Sequence, residues 1–183
     1  MSSLLNRTAL TEALRAYQTA FEEEQHFVAR FLALLAHPRC FHRNHLPGHV
    51  TGSAWIRSHD GKKVLLVHHA KLNKWLQPGG HADGEENVWA VAQKEAQEET
   101  GLLVQPVSTG LFDIDIHEIP ARGSFPSHDH YDIRFLFEAD ETTPLQINHE
   151  STELKWVLLT DLEKYNSSTS VLRMRDKSAR SNQ

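Results

Sequence analysis

Residues 79–102 read Gly-Gly-His-Ala-Asp-Gly-Glu-Glu-Asn-Val-Trp-Ala-Val-Ala-Gln-Lys-Glu-Ala-Gln-Glu-Glu-Thr-Gly-Leu. The stretch predicts a helix that ends in three carboxylates, Glu95, Glu98 and Glu99. At roughly 100° per residue, Glu98 lies about 60° to one side of Glu95 and Glu99 about 40° to the other. All three therefore leave one face within a turn. Most runs of acid are solvated faces, but Val88 and Val91 fall within about 40° of Glu95 on the same wheel. One stripe is thus apolar at its start and acidic at its end. Carboxylates that continue a buried stripe repel each other unless something positive sits among them. An all-oxygen donor set suits a hard cation such as Mg²⁺ or Mn²⁺. Gly79-Gly80 lets backbone come close to a ligand, and Gly101 is placed to cap the helix C-terminus.

The segment resembles the Nudix box, G-x5-E-x7-R-E-U-x-E-E-x-G-U with U apolar. Gly80, Glu86, Glu95, Ala96, Glu98, Glu99, Gly101 and Leu102 fit it, with Ala counted as apolar, and Lys94 stands where the pattern has Arg. So many fixed positions make the match far more specific than a lone G-x-G-x-x-G. The resemblance implies an α+β fold, an α/β/α sandwich around a mixed sheet. It also implies metal-dependent hydrolysis of a diphosphate linkage in a nucleoside diphosphate joined to another moiety, with Mg²⁺ or Mn²⁺ on Glu95, Glu98, Glu99 and the Gly79 carbonyl. Glu86 would serve structurally, paired with the residue at the Arg position. The resemblance is strong over 63–104, weaker over 131–162 and says little about 1–45.

Outward from this segment, 63–69 is a buried strand and 50–57 another, joined by an Asp60-Gly61 turn. Strands are also expected over 103–108, 111–117, 131–139 and 154–158, five or six in all with a loop at 119–126. Thr160 and Glu163 have the spacing of a capping box for a short helix. Upstream, Leu10, Leu14, Tyr17 and Phe21, then Phe27, Val28, Phe31, Leu32 and Leu35, recur at helical spacing up to Pro38. The polar stretch 18–25 allows two helices. The expected organisation is a helical extension over 1–45 packed on the same domain, a catalytic domain over 46–166, and a polar, frayed tail over 167–183. A dimer contact, giving a homodimer, or a cap over the substrate pocket are further roles open to the extension.

Composition sets the class. Hydrophobic content of 39% and charged content of 23% suit a globular chain of 183 residues, enough for one domain. A net charge of -5 gives no basic footprint for DNA or an RNA body. No stretch is long and apolar enough for a membrane span or a signal peptide. The single cysteine, Cys40, excludes a disulfide framework and fits a reducing cytoplasm.

Further candidates are weaker. Hydrolysis needs a general base; Glu98 is one candidate, and Glu150 and Glu153, just before the 154–158 strand, are the loop acids at the position the resemblance indicates. Tyr131, Ile133, Phe135 and Phe137 alternate with His128, His130, Asp132 and Arg134. The polar set is either a metal site or phosphate-contacting wall, with Arg134 on substrate beside Gly79 and Gly80, or the wet face of an antiparallel strand. Trp75 and Trp89 are candidates for stacking on a base, with a packing role favoured for Trp89. Lys94, four residues before Glu98, is expected to pair with it and to stand in for the Arg. A non-catalytic Nudix-like nucleotide-binding or regulatory domain is the main rival, although such domains usually lose box carboxylates. An isoprenoid diphosphate isomerase is the second, and it would need a cysteine just before the box.

Overall fold

The computed structural model describes residues 6–180. Two helices open it, α1 (Arg7–Arg15) and α2 (Glu22–Leu35). Asn6 caps α1 by accepting the Ala9 amide at 3.0 Å. Eight strands follow: β1 (Gly48–Ser58), β2 (Lys63–His69), β3 (Lys74–Leu76), β4 (Gly79–His81), β5 (Gln105–Pro106), β6 (Asp113–Ile119), β7 (His128–Ala139) and β8 (Ser151–Leu158). Helix α3 (Val88–Thr100) lies between β4 and β5. A 3₁₀ turn over Leu159–Lys164 and helix α4 (Thr169–Arg180) close the chain.

All the strands share one sheet, ordered β3-β2-β1-β7-β5, with β4 on β1, β6 on β7 and β8 on β2. β1 and β7 run parallel and the other pairs antiparallel, so the sheet is mixed. β1 meets β2 at Arg57↔Val64, and its other half turns to β4 through Thr51↔His81, Gly52↔Gly80 and Ser53↔Gly79. That divergence puts the glycine strand in the middle of the fold.

Side chains alternate across the sheet, and both faces are covered. Val50, Ala54 and Ile56 of β1 and Ile133, Phe135 and Phe137 of β7 pack with Leu10, Leu14, Phe31, Val88 and Val91 from the first three helices. On the opposite face Trp55, Leu66, Leu136 and Val157 pack with Leu162, Val171 and Met174. The result is the sandwich the resemblance implies, and the two N-terminal helices belong to its first core.

Several local expectations are corrected. Residues 169–180 are helix, not a frayed tail, with Val171, Arg173 and Met174 buried; residues 181–183 lie outside the described ones. Helix α4 has a short apolar stripe and is held as much by charge, which a hydropathy reading passes over. Thr160 and Glu163 form no capping box: Leu158 holds the N-cap position, with no side-chain bond to the turn. The expected strand at 103–108 shrinks to β5, and β3 and β4 are too short to show a period of two.

Candidate functional site

Helix α3 has the ends its sequence specifies. Asn87 accepts the Ala90 amide at 3.1 Å, and Gly101, at φ 76°, closes the C-terminus by donating to the Gln97 carbonyl. Between them Val88 and Val91 are buried against Gly52 of β1, where a Cβ would lie 2.9 Å from Val88. The stripe then carries its acids onto β4. The Glu95 carboxylate folds over Gly80, its carbon 2.6 Å from where a Cβ on that glycine would sit, so a side chain there would push the carboxylate away. Glu99 is 6% exposed, and its Oε1 accepts the Gly79 amide at 3.1 Å. Burial raises the pKa of both carboxyls, and their neighbouring acids add to it; Glu99 reaches about 8 even with the opposing pull of the Gly79 N–H. Glu98 is exposed at the rim.

The loop before β8 docks on this end of α3. Gln146 donates its amide to the Thr100 carbonyl at 2.9 Å, and the Asn148 side chain donates to the Glu98 carbonyl at 3.3 Å. Glu150 is thereby close enough for its charge to raise both Glu95 and Glu99. Glu153 stands instead on exposed β8, opposite His68. Of the two loop acids, the structure brings Glu150 to the cluster.

Glu86 does not pair with the box position. Its partner is Arg7, at 3.0 Å, whose backbone amide also donates to Glu86 at 3.1 Å. An arginine from the N-terminal extension thus meets the box glutamate. Lys94 does reach Glu98, at 3.5 Å, but the two side chains are 65% and 55% exposed. A pair in water contributes at most about 1 kcal/mol, so Lys94 keeps the charge without the control that a buried fork would give.

β7 is antiparallel to β6 and parallel to β1, but its polar face is not wet: Asp132 and Arg134 are buried. Arg134 is buried and fully engaged: Nε donates to Asp132 at 2.7 Å, Nη1 to Asp113 at 3.0 Å and Nη2 to Asp115 at 3.0 Å. A substrate phosphate would have to break that set, which removes Arg134 as a substrate contact. Asp132 is likewise taken up, accepting from Thr51 at 3.0 Å and Ser53 at 2.7 Å. The network extends to Arg173 of α4, which donates to Asp113 and Asp115, and to Lys177, which meets Glu24 of α2 and Asp113. It locks α2 and α4 to β6.

Further along the same face of β7, His128 and His130 join His49 and His81. The rings of these four stand 5.0 to 5.2 Å apart in five pairs. Burial lowers the pKa of His49 to about 4 and also lowers those of His81 and His130, so these imidazoles are neutral at physiological pH. His49 and His81 had no periodic signal, because cross-strand register alone unites them. Trp89 packs on Phe137 in the first core, and Trp75 on His68 and Tyr165.

The architecture and the box have counterparts among known proteins. A family model described as the NUDIX domain matches residues 47–175. A relative from Xenopus laevis, the m7GpppN-mRNA hydrolase NUDT17, is 37% identical over 89 residues, which is 44% of this chain and 30% of that protein's length. The chain therefore spans less than a third of this curated relative. Among solved structures, a Caenorhabditis elegans Ap4A hydrolase superposes with a TM-score of 0.56 at 22% identity, covering 72% of this chain and 95% of that one. A NUDIX family hydrolase from Clostridium perfringens gives 0.53 at 24%, covering 72% and 96%. At these identities the structural likeness speaks for the fold. Together with the family match across most of the chain and the carboxylates gathered on the β4 glycines, it establishes that this chain belongs to the Nudix family.

Proposed function

We propose that the chain is a pyrophosphohydrolase that uses Mg²⁺ or Mn²⁺ to hydrolyse the diphosphate linkage of a nucleoside diphosphate joined to another moiety. One observation carries this reading. Glu95 and Glu99 are pressed against the glycines of β4 with raised pKa values, while Lys94, whose charge favours ionised Glu95, stays mostly in water. Acids so placed fit a hard divalent cation, which Glu95, Glu98 and Glu99 would hold, with the Gly79 carbonyl as a further oxygen. When bound, the cation supplies neutralisation of phosphate charge and acidification of water.

The chain's own groups do the rest. Gly79 and Gly80 keep the strand free of side-chain bulk where the phosphates approach. The Gly79 amide fixes Glu99, and the loop bearing Glu150 closes the end of α3. Glu150 takes the proton from a water that attacks phosphorus. The bridging P–O bond breaks, and two phosphate-bearing products leave. Arg7, through Glu86, ties the start of the box to the N-terminal helix.

The non-catalytic rival is disfavoured because every box carboxylate is present. The isomerase reading lacks its cysteine, since Cys40 is buried among the core residues. No helix among the described residues is long and apolar enough to cross a membrane, and the single thiol fits the cytoplasm. The net charge of -5 argues against an RNA body as substrate. The test is a panel of nucleoside triphosphates, nucleotide sugars, ADP-ribose and dinucleoside polyphosphates with Mg²⁺ or Mn²⁺, followed by product analysis. Cleavage at a diphosphate of at least one member supports the reading. Binding without turnover across the panel would favour the rival.

A further inference from the structure

β4 is three residues long, and its two faces look at different chemistry. Gly80 faces α3 and the Glu95 carboxylate, whereas a Cβ on Gly79 would meet Ser53 on the other side of the sheet. His81 has the parity of Gly79. On that second face His49 of β1 lies directly opposite His130 of β7, and His81 is paired with Thr51, two residues along β1. Three adjacent strands thus deliver three imidazoles to one place. Their nearest ring nitrogens all lie within 4.8 Å of one another.

Two features go beyond aromatic packing. The Nε2 atoms of His49 and His130 are buried and have no hydrogen-bond partner among the described residues, and His49 is 0% exposed. An unpartnered polar atom in the interior is costly and calls for an explanation. The Nδ1 of His49 meets the His45 carbonyl at 3.3 Å. That contact places the proton on Nδ1 and leaves the lone pair of Nε2 directed into the cluster, as in metal-ligating histidines.

We propose that His49, His81 and His130 form a second metal site, separate from the carboxylates and specific for a borderline transition-metal ion of the Zn²⁺ class. Imidazole nitrogen selects such ions over Mg²⁺. A tetrahedral Zn²⁺ holds its nitrogens at about 2.0–2.1 Å, hence about 3.3 Å apart. The rings need to close by no more than about 1.5 Å, within the reach of side-chain rotation. Three protein ligands leave the fourth position open. It faces a cavity of about 320 Å³ lined by Arg43, Arg122, Phe125 and His128, where water or an anionic ligand group would complete the shell. Asp83 pairs with Arg43 and offsets its charge beside the ion.

The proposal does not depend on the hydrolase reading, and its test needs no activity. The full chain is stripped with a chelator, dialysed and titrated with Co²⁺ in millimolar Mg²⁺. One Co²⁺ per chain should bind with the visible d–d absorption of a tetrahedral site, and one equivalent of Zn²⁺ should displace it. His81→Asn and His130→Asn, each checked for folding by circular dichroism, should weaken binding by more than about 100-fold, beyond the loss usual for an outer-shell change. His81, less buried than His49, provides the variant least exposed to folding failure. Glu98→Gln and Glu99→Gln should leave the Co²⁺ spectrum in place. A wild type without the tetrahedral spectrum, or folded histidine variants that bind as the wild type does, would overturn the proposal. So would loss of the spectrum in the glutamate variants alone.

Discussion

Glu99→Gln is the substitution whose effect can be worked furthest from the structure. In the metal-free chain Glu99 is buried, and its pKa rises from 4.5 to about 8. A raised carboxyl pKa means that the folded protein keeps a proton the unfolded chain has released. Its contribution to stability is fully present below pH 4.5 and is lost as the pH rises to about 8. At about 1.4 kcal/mol per unit, the whole shift is worth about 5 kcal/mol. Local opening of the Gly79–Glu99 contact limits what equilibrium unfolding records to the cost of that opening. The Gln variant keeps the shape and can still accept the Gly79 amide, but it has no proton to lose. Urea unfolding of the chelated protein at pH 5 and pH 9 should show the wild type losing several kcal/mol more than Glu99→Gln. Millimolar Mg²⁺ should restore the wild type at pH 9, by binding the native state, and do much less for the variant. Parallel pH profiles for the two proteins, with or without Mg²⁺, would refute the assignment of Glu99 as a buried carboxylate awaiting a cation.

Two other substitutions probe what the sequence left open. Arg173→Met removes five hydrogen bonds, to Asp113, Ile114, Asp115 and Glu23. It leaves buried acids short of a partner and should cost about 3–5 kcal/mol in urea unfolding; a change under about 1 kcal/mol would mean that α4 is dispensable. Lys94→Ala should lower kcat/KM by no more than about fivefold, because its pair with Glu98 is in water. A loss of tenfold or more, with Lys94→Arg at or above wild type, would restore Lys94 to the role of the family's Arg.

What could be read from the sequence was local and periodic. The box helix, its Gly101 cap, the join of Val88 and Val91 to the acids, and the alternation along β7 all follow from spacing within one segment. What could not be read depends on register between distant segments. Arg7 meets Glu86 across 79 residues, and Arg173 meets Asp113 across 60. No periodicity announces either. Arg134 looked like a phosphate contact because an arginine on a polar strand face suits one; three aspartates from two strands claimed it instead. His49 and His81 carry no periodic signal, whereas alternation singles out His128 and His130; what it does not show is that His130 meets imidazoles from two other strands while Asp132, on the same face, meets Arg134. The tail was misjudged because α4 is anchored by buried charge as well as by Val171 and Met174.

The measurement that tests the account most directly is turnover of the box variants. On whichever panel compound the wild type cleaves, kcat at saturating Mg²⁺ should fall by about 100-fold or more in Glu98→Gln and in Glu99→Gln, since electrostatic positioning carries most of the rate. Both variants should remain folded, because Gln keeps the shape of each side chain and can still accept the Gly79 amide at position 99. Folded variants that turn over at close to the wild-type rate would contradict the claim that these carboxylates are the catalytic centre.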